Sequence, residues 1–165
     1  MAWMVARVVP GASSASHNGS MSFDLERFVT AQQGVYEGAL RELRAGRKTG
    51  HWIWFIFPQL AGLGRSEMSR FYGIESLDEA RAYLDHPVLG PRLRECVHAV
   101  LATSGATADQ IFGSLDAMKV RSSMTLFHRA APDELLFRQM LDRVFSGGAD
   151  EETDSLLRGD SPLAR

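Results

Sequence analysis

An all-α fold is what this sequence predicts, a compact single-domain bundle of about six to seven helices. Three observations lead there. Apolar residues recur at i, i+3, i+4 spacing through most of the chain beyond residue 22. The strings Ser76-Leu-Asp-Glu79 and Thr107-Ala-Asp-Gln110 are capping boxes that open helices. Glycine and proline fall at short intervals between the periodic stretches and leave only short joins.

Residues 1–22 read as a disordered extension, 23–158 as the helical domain and 159–165 as a flexible tail. The apolar start has no basic region before it and is interrupted by Arg7, so it makes a poor export signal. The first helix is expected to start at Asp24, its cap, and to carry Leu25, Phe28, Val29, Gln32, Val35, Tyr36, Ala39, Leu40 and Leu43 before Gly46 ends it. Gly34 and Gly38 share a face of that helix, where another backbone can approach closely. His51 to Phe57 is apolar on every side. Its aromatic and β-branched content favours a strand, although periodicity does not separate a buried strand from a buried helix.

Residues 58–75 are loop-rich, with one helical turn at Ser66–Phe71. Ser76 then caps a helix that His86-Pro87 ends. Pro91 opens the next, which runs through Leu93, Cys96, Val97, Val100 and Leu101 to Gly105. Thr107 opens a short helix ending at Gly113. Ser114 to Ala130 forms another, carrying Leu115, Met118, Ser122, Thr125 and Leu126. Pro132-Asp-Glu starts one that carries Leu135, Leu136, Met140, Leu141, Val144 and Phe145, and Asp150 to Arg158 makes a short last one.

Composition narrows the function classes. The 165 residues are 45% hydrophobic and 23% charged, enough to build a core. A net charge of −2 lacks the basic excess of a dedicated duplex-DNA binder, so nucleic acid is not the expected partner. A single cysteine, Cys96, rules out an internal disulfide and a multi-cysteine zinc cluster; it sits on an apolar stripe as a buried thiol, and a reducing cytoplasm suits it. No apolar run approaches the roughly 18 residues that span a membrane. The P-loop, HExxH, GxSxG and calcium-loop motifs are absent, and the histidines at 17, 51, 86, 98 and 128 show no i, i+4 pairing. No metal or other cofactor is expected.

Against that background, two segments could carry chemistry. In the first, Arg47, Lys48 and His51 precede Trp52 and Trp54, and Gln59 and Arg65 follow. Indoles supply stacking surface and arginine supplies forked donors for phosphate or carboxylate. Read blandly, the same aromatics are core and the cations a solvated collar. In the second, Asp116, Lys119, Arg121, Ser122 and Ser123 fall on neighbouring stripes of one helix, where small hydroxyls let a ligand come close. Asp116 would serve as base or ribose acceptor and Lys119 as an electrostatic or covalent partner. The bland version is an Asp116–Lys119 surface pair worth a few tenths of a kcal/mol.

The same segments carry a family resemblance. Gly50-His-Trp-Ile-Trp-Phe-Ile-Phe-Pro-Gln59 and Lys119-Val-Arg-Ser-Ser-Met-Thr-Leu-Phe127 resemble the signature strings of domain-of-unknown-function family 1810, over about residues 23–158. The resemblance implies an all-helical fold, and with it a helix at His51–Phe57, but no catalytic residues. The expected function is binding or processing of a nucleotide-like ligand, for instance an ADP-ribose derivative. A non-enzymatic protein-interaction module is the alternative.

Overall fold

The structure, a computed structural model, describes residues 22–103 and 105–160; the expected extension, Ser22 apart, and most of the expected tail lie outside them. Ten helices follow one another there: α1 (Glu26–Gln32), α2 (Tyr36–Arg44), α3 (Ile53–Ile56), α4 (Glu67–Tyr72), α5 (Leu77–Asp85), α6 (Leu89–Ala102), α7 (Ala108–Phe112), α8 (Ser114–Ala130), α9 (Leu135–Val144) and α10 (Glu151–Leu157). The fold is all-α as expected, but the helices outnumber the six to seven predicted. The long first helix is two. Gly34, at φ +73°, makes a left-handed turn between α1 and α2. A Cβ added there would meet nothing within 4 Å, so this glycine serves the turn rather than a close backbone approach. Asp24 does not cap α1 either, because Leu25 occupies the N-cap position with no side-chain bond.

His51–Phe57 resolves in favour of a helix. Ile53–Ile56 forms a single turn, and Trp52, Ile53, Phe55, Ile56 and Phe57 are all buried. A strand buries two opposite faces, whereas a helical turn sends these neighbours in several directions, so surrounding core overrides local β propensity. Pairing of strand type is confined, among the described residues, to one parallel bridge between Leu60 and Ile74. Most capping signals are realised. Thr107 and Gln110 form both bonds of a capping box, and Ser66 and Ser76 cap α4 and α5. Glu79 reaches back to the N–H of Glu75 instead of Ser76. Pro91 and Pro132 mark their helices only loosely, since α6 begins at Leu89 and α9 at Leu135.

The core gathers around α8, which packs on α5, α7, α9 and α10. Phe127 lies 5.4 Å from the Tyr83 ring and 5.8 Å from Phe137, and Tyr83 meets Phe28 edge-on at 5.1 Å. Each fully buried side chain of this size contributes roughly 1.5–3 kcal/mol. Cys96 is fully buried as expected, and burial pushes its thiol up to about 12. Three predicted apolar positions depart from the core: Leu115, Met118 and Leu135 are 73%, 64% and 64% exposed. Among the described residues, no helix is long and apolar enough to cross a membrane.

Candidate functional site

The site begins where α2 ends. Gly46 (φ +77°) reverses the backbone, its N–H donating to the Leu43 carbonyl and the Arg47 N–H to the Glu42 carbonyl. This pair of bonds is the Schellman stop expected of a glycine after a helix. The Glu42 carboxylate then organises the segment that follows. Its Oε1 accepts N–H bonds from Thr49 at 2.7 Å, Gly50 at 2.9 Å and the Trp52 indole at 2.9 Å. Burial pushes this carboxyl up, but the backbone donors of Gly50 and Thr49, with the indole, outweigh it and bring it down to about 2.

Lys48 points the other way, into the protein. Its backbone N–H donates to Ile111 of α7 at 2.7 Å. Its side chain is 7% exposed, and Nζ reaches Asp116 Oδ2 at 2.6 Å and the Gly50 carbonyl at 2.5 Å, 5.1 Å from the Trp52 ring centre. Asp116, in the first turn of α8, takes Lys119 Nζ on its other oxygen at 3.1 Å. Lys119 in turn stands 4.8 Å from the half-buried Trp54 ring. Burial alone would raise the Asp116 carboxyl; the bonded Lys48 and Lys119 ammonium groups hold it below the usual carboxylate range. The two segments therefore meet through a Lys48–Asp116–Lys119 bridge flanked by two indoles.

Other predicted members take different places. Arg47 and His51 are exposed on the 47–51 segment, close in sequence to the bridge. Arg121 turns to the Gly148 carbonyl at 2.6 Å, stapling α8 to the chain before α10. The Ser122 hydroxyl donates to the Met118 carbonyl of its own helix at 3.1 Å, and the Ser123 hydroxyl is buried without a partner. Gln59 lends its carbonyl to Ile74, and Arg65 is exposed in the loop before α4. Clefts of about 530 and 520 Å³ lie elsewhere, one against Met68 and Phe71 of α4, the other against Val100, Thr107 and Arg143. Sequence reasoning missed Glu42, although a signal was there. A carboxylate in the last turn of a helix opposes the helix dipole, so it is expected to find donors beyond the helix.

Comparison with known proteins follows the same outline. Residues 22–157 match the family model described as a protein of unknown function, DUF1810. The chain is also similar to a solved structure, the conserved hypothetical protein Rv1873 from Mycobacterium tuberculosis. The two share 52% identity with a TM-score of 0.81, over 82% of this chain and 97% of that one. No curated protein matches. With the family model spanning all ten helices, this chain belongs to the DUF1810 family.

Proposed function

We propose that this chain binds a small nucleotide-like ligand, of which an ADP-ribose derivative is one chemical example, where residues 47–54 meet the first turns of α8. The shared carboxylate carries the reading: Asp116 holds Lys48 on one oxygen and Lys119 on the other, and Lys119 faces Trp54. An aromatic face beside an ammonium group with unused donors suits a planar base and an anionic group on one molecule. Binding is better supported than acid–base chemistry. A carboxylate held below its usual range by two ammonium groups is a poor general base, and near neutral pH it carries no proton to donate. A reducing, cytoplasmic setting goes with a buried single thiol.

Thermal-shift titration with ADP-ribose, NAD and AMP tests the reading. Stabilisation of the wild type by roughly 2.7 kcal/mol at about 100 times Kd, and none in folded Lys119→Ala, is the expected result. No shift with any of the three overturns it.

One observation favours the interaction-module alternative. Leu115 and Met118 are both exposed and lie three apart on α8, beside Asp116 and Lys119, as an apolar rim suited to a protein partner. Nucleic acid fits less well. A basic stripe of Arg41, Arg44, Arg47 and Lys48 is interrupted, because Lys48 turns inward and Arg44 pairs with Glu95.

A further inference from the structure

Residues 47–52 alternate in a way that assigns them separate tasks. Lys48, Gly50 and Trp52 point inward or lie half-buried, while Arg47, Thr49 and His51 are exposed. Every inward position is tied down: Lys48 to Asp116, Gly50 to Glu42 through its N–H and to Lys48 through its carbonyl, Trp52 to Glu42. The anchors come from α2, α7 and α8, so a segment without regular structure is held from three sides. Gly50 is part of the fit, since a Cβ there would stand 2.9 Å from Trp52 Cδ1 and 3.3 Å from Glu42 Oε2. The outward positions are different. Thr49 lies beside the Glu42 carboxylate, but the Arg47 and His51 side chains make no hydrogen bond or ion pair among the described residues.

We infer that residues 47–51 form a preorganised phosphate-recognising edge, in which Arg47 and His51 take the phosphate groups of the ligand whose base rests near Trp54. The inference deepens the proposed ligand site and rests on it. It also divides the cations. Lys48 is committed to the fold, Lys119 faces the stacking surface, and Arg47 and His51 supply donors to phosphate oxygens. Arginine suits that task, because its forked N–H groups pair with two oxygens at once. Holding the backbone beforehand removes the ordering cost that a loose loop would incur on binding.

Calorimetric titration of the full chain with adenosine, AMP and ADP is the test, on the wild type, on Arg47→Ala/His51→Ala and on Arg47→Lys. The wild type is expected to prefer ADP over adenosine by about tenfold or more. The double variant, with an unchanged melting temperature, should narrow that preference to roughly threefold or less, and Arg47→Lys should fall between because it keeps charge without the fork. An equal preference in wild type and double variant overturns the phosphate edge. Equal binding of adenosine and ADP by the wild type also overturns it, yet leaves the ligand site standing. No binding of any probe removes both.

Discussion

Two buried ion pairs in this molecule use the same chemistry for different ends. Arg27 and Glu79, 10% and 2% exposed, pair at 3.1 Å where α1, the end of α4 and the start of α5 come together. Arg27 also donates to the Phe71 and Gly73 carbonyls at 2.8 and 2.9 Å and to the Asp24 carbonyl, and Glu79 takes the Glu75 N–H. That knot is closed, with four of the five Arg27 N–H donors on protein oxygens. The Lys48–Asp116–Lys119 bridge is buried at one end and open at the other: Lys48 is 7% exposed and Lys119 is 25% exposed. Lys119 has three N–H donors and uses one on Asp116. A closed pair belongs to folding, whereas a half-open one leaves ammonium donors unused, as the proposed ligand site requires.

The largest expected effect comes from opening the closed knot. Glu79→Ala leaves a buried guanidinium without its carboxylate and should cost about 3–5 kcal/mol in urea unfolding. Replacing both partners, as Arg27→Met with Glu79→Leu, should recover much of that loss, because apolar side chains carry no desolvation penalty. A single-variant loss below about 1 kcal/mol would mean the knot is no more than a surface pair.

Asp116→Asn should cost less, about 1–3 kcal/mol, because Lys48 keeps the Gly50 carbonyl and the face of Trp52. The same urea titration measures it. If this loss equals that of Glu79→Ala, the two bridges do not differ in kind and the contrast between them fails.

Much of this arrangement was legible in the sequence, and the missing parts share a cause. Capping residues act within a few positions, so the caps Ser76 and Thr107 and the helix starts at Ser66 and Asp150 could be read before any fold was known, whereas Asp24, read in the same way, caps nothing. Trp54, Asp116 and Lys119 could be nominated by residue type. Their meeting depends on α3 landing against α8, which no local pattern encodes. Residue type nominates Arg121 and Ser122 as well, but Arg121 Nε and the Ser122 hydroxyl each donate to a nearby carbonyl instead. The inward course of Lys48 and the part played by Glu42 were not legible. A lysine next to an arginine reads as solvent-facing collar, and only the turn at Gly46 sends it inward. Leu115 and Met118 fit a helical period but not the buried face, since periodicity tells which residues align and not which side is covered.

A smaller effect separates the carboxylates by pH. Glu42 titrates near 2 in the folded chain, against roughly 4.3 for an ordinary unfolded glutamate. A depressed folded value means the unfolded chain takes up its proton first as pH falls. The stabilisation is therefore complete above about pH 5 and is lost progressively between about 4.5 and 2. Glu42→Gln should lower stability by about 1 kcal/mol at pH 7, with the gap to wild type closing through that window. Asp116 and Asp154, both held low by bonded cations, keep some acid sensitivity in the variant. A gap that stays constant from pH 7 to pH 2 would show that the carboxylate charge is not what holds the 49–52 segment.

The smallest stability effect belongs to the residue on which the ligand reading most depends. Lys119→Ala removes an i, i+3 pair whose side chains are 25% and 20% exposed, and a cation–π contact, while Asp116 keeps Lys48 at 2.6 Å. A pair that still reaches solvent, and whose carboxylate keeps its buried cation, contributes about 0–1 kcal/mol, so the urea midpoint should barely move. Lys48→Met makes the informative partner, because it strips Asp116 of its buried cation and detaches the segment from α8. Its loss of stability should exceed that of Lys119→Ala, and its loss of ligand binding should come with that unfolding. Lys119→Ala should instead lose binding while remaining as stable as the wild type. If the two lysine variants fall together in both measurements, Lys119 is part of the scaffold, and the open end of the bridge is closed after all.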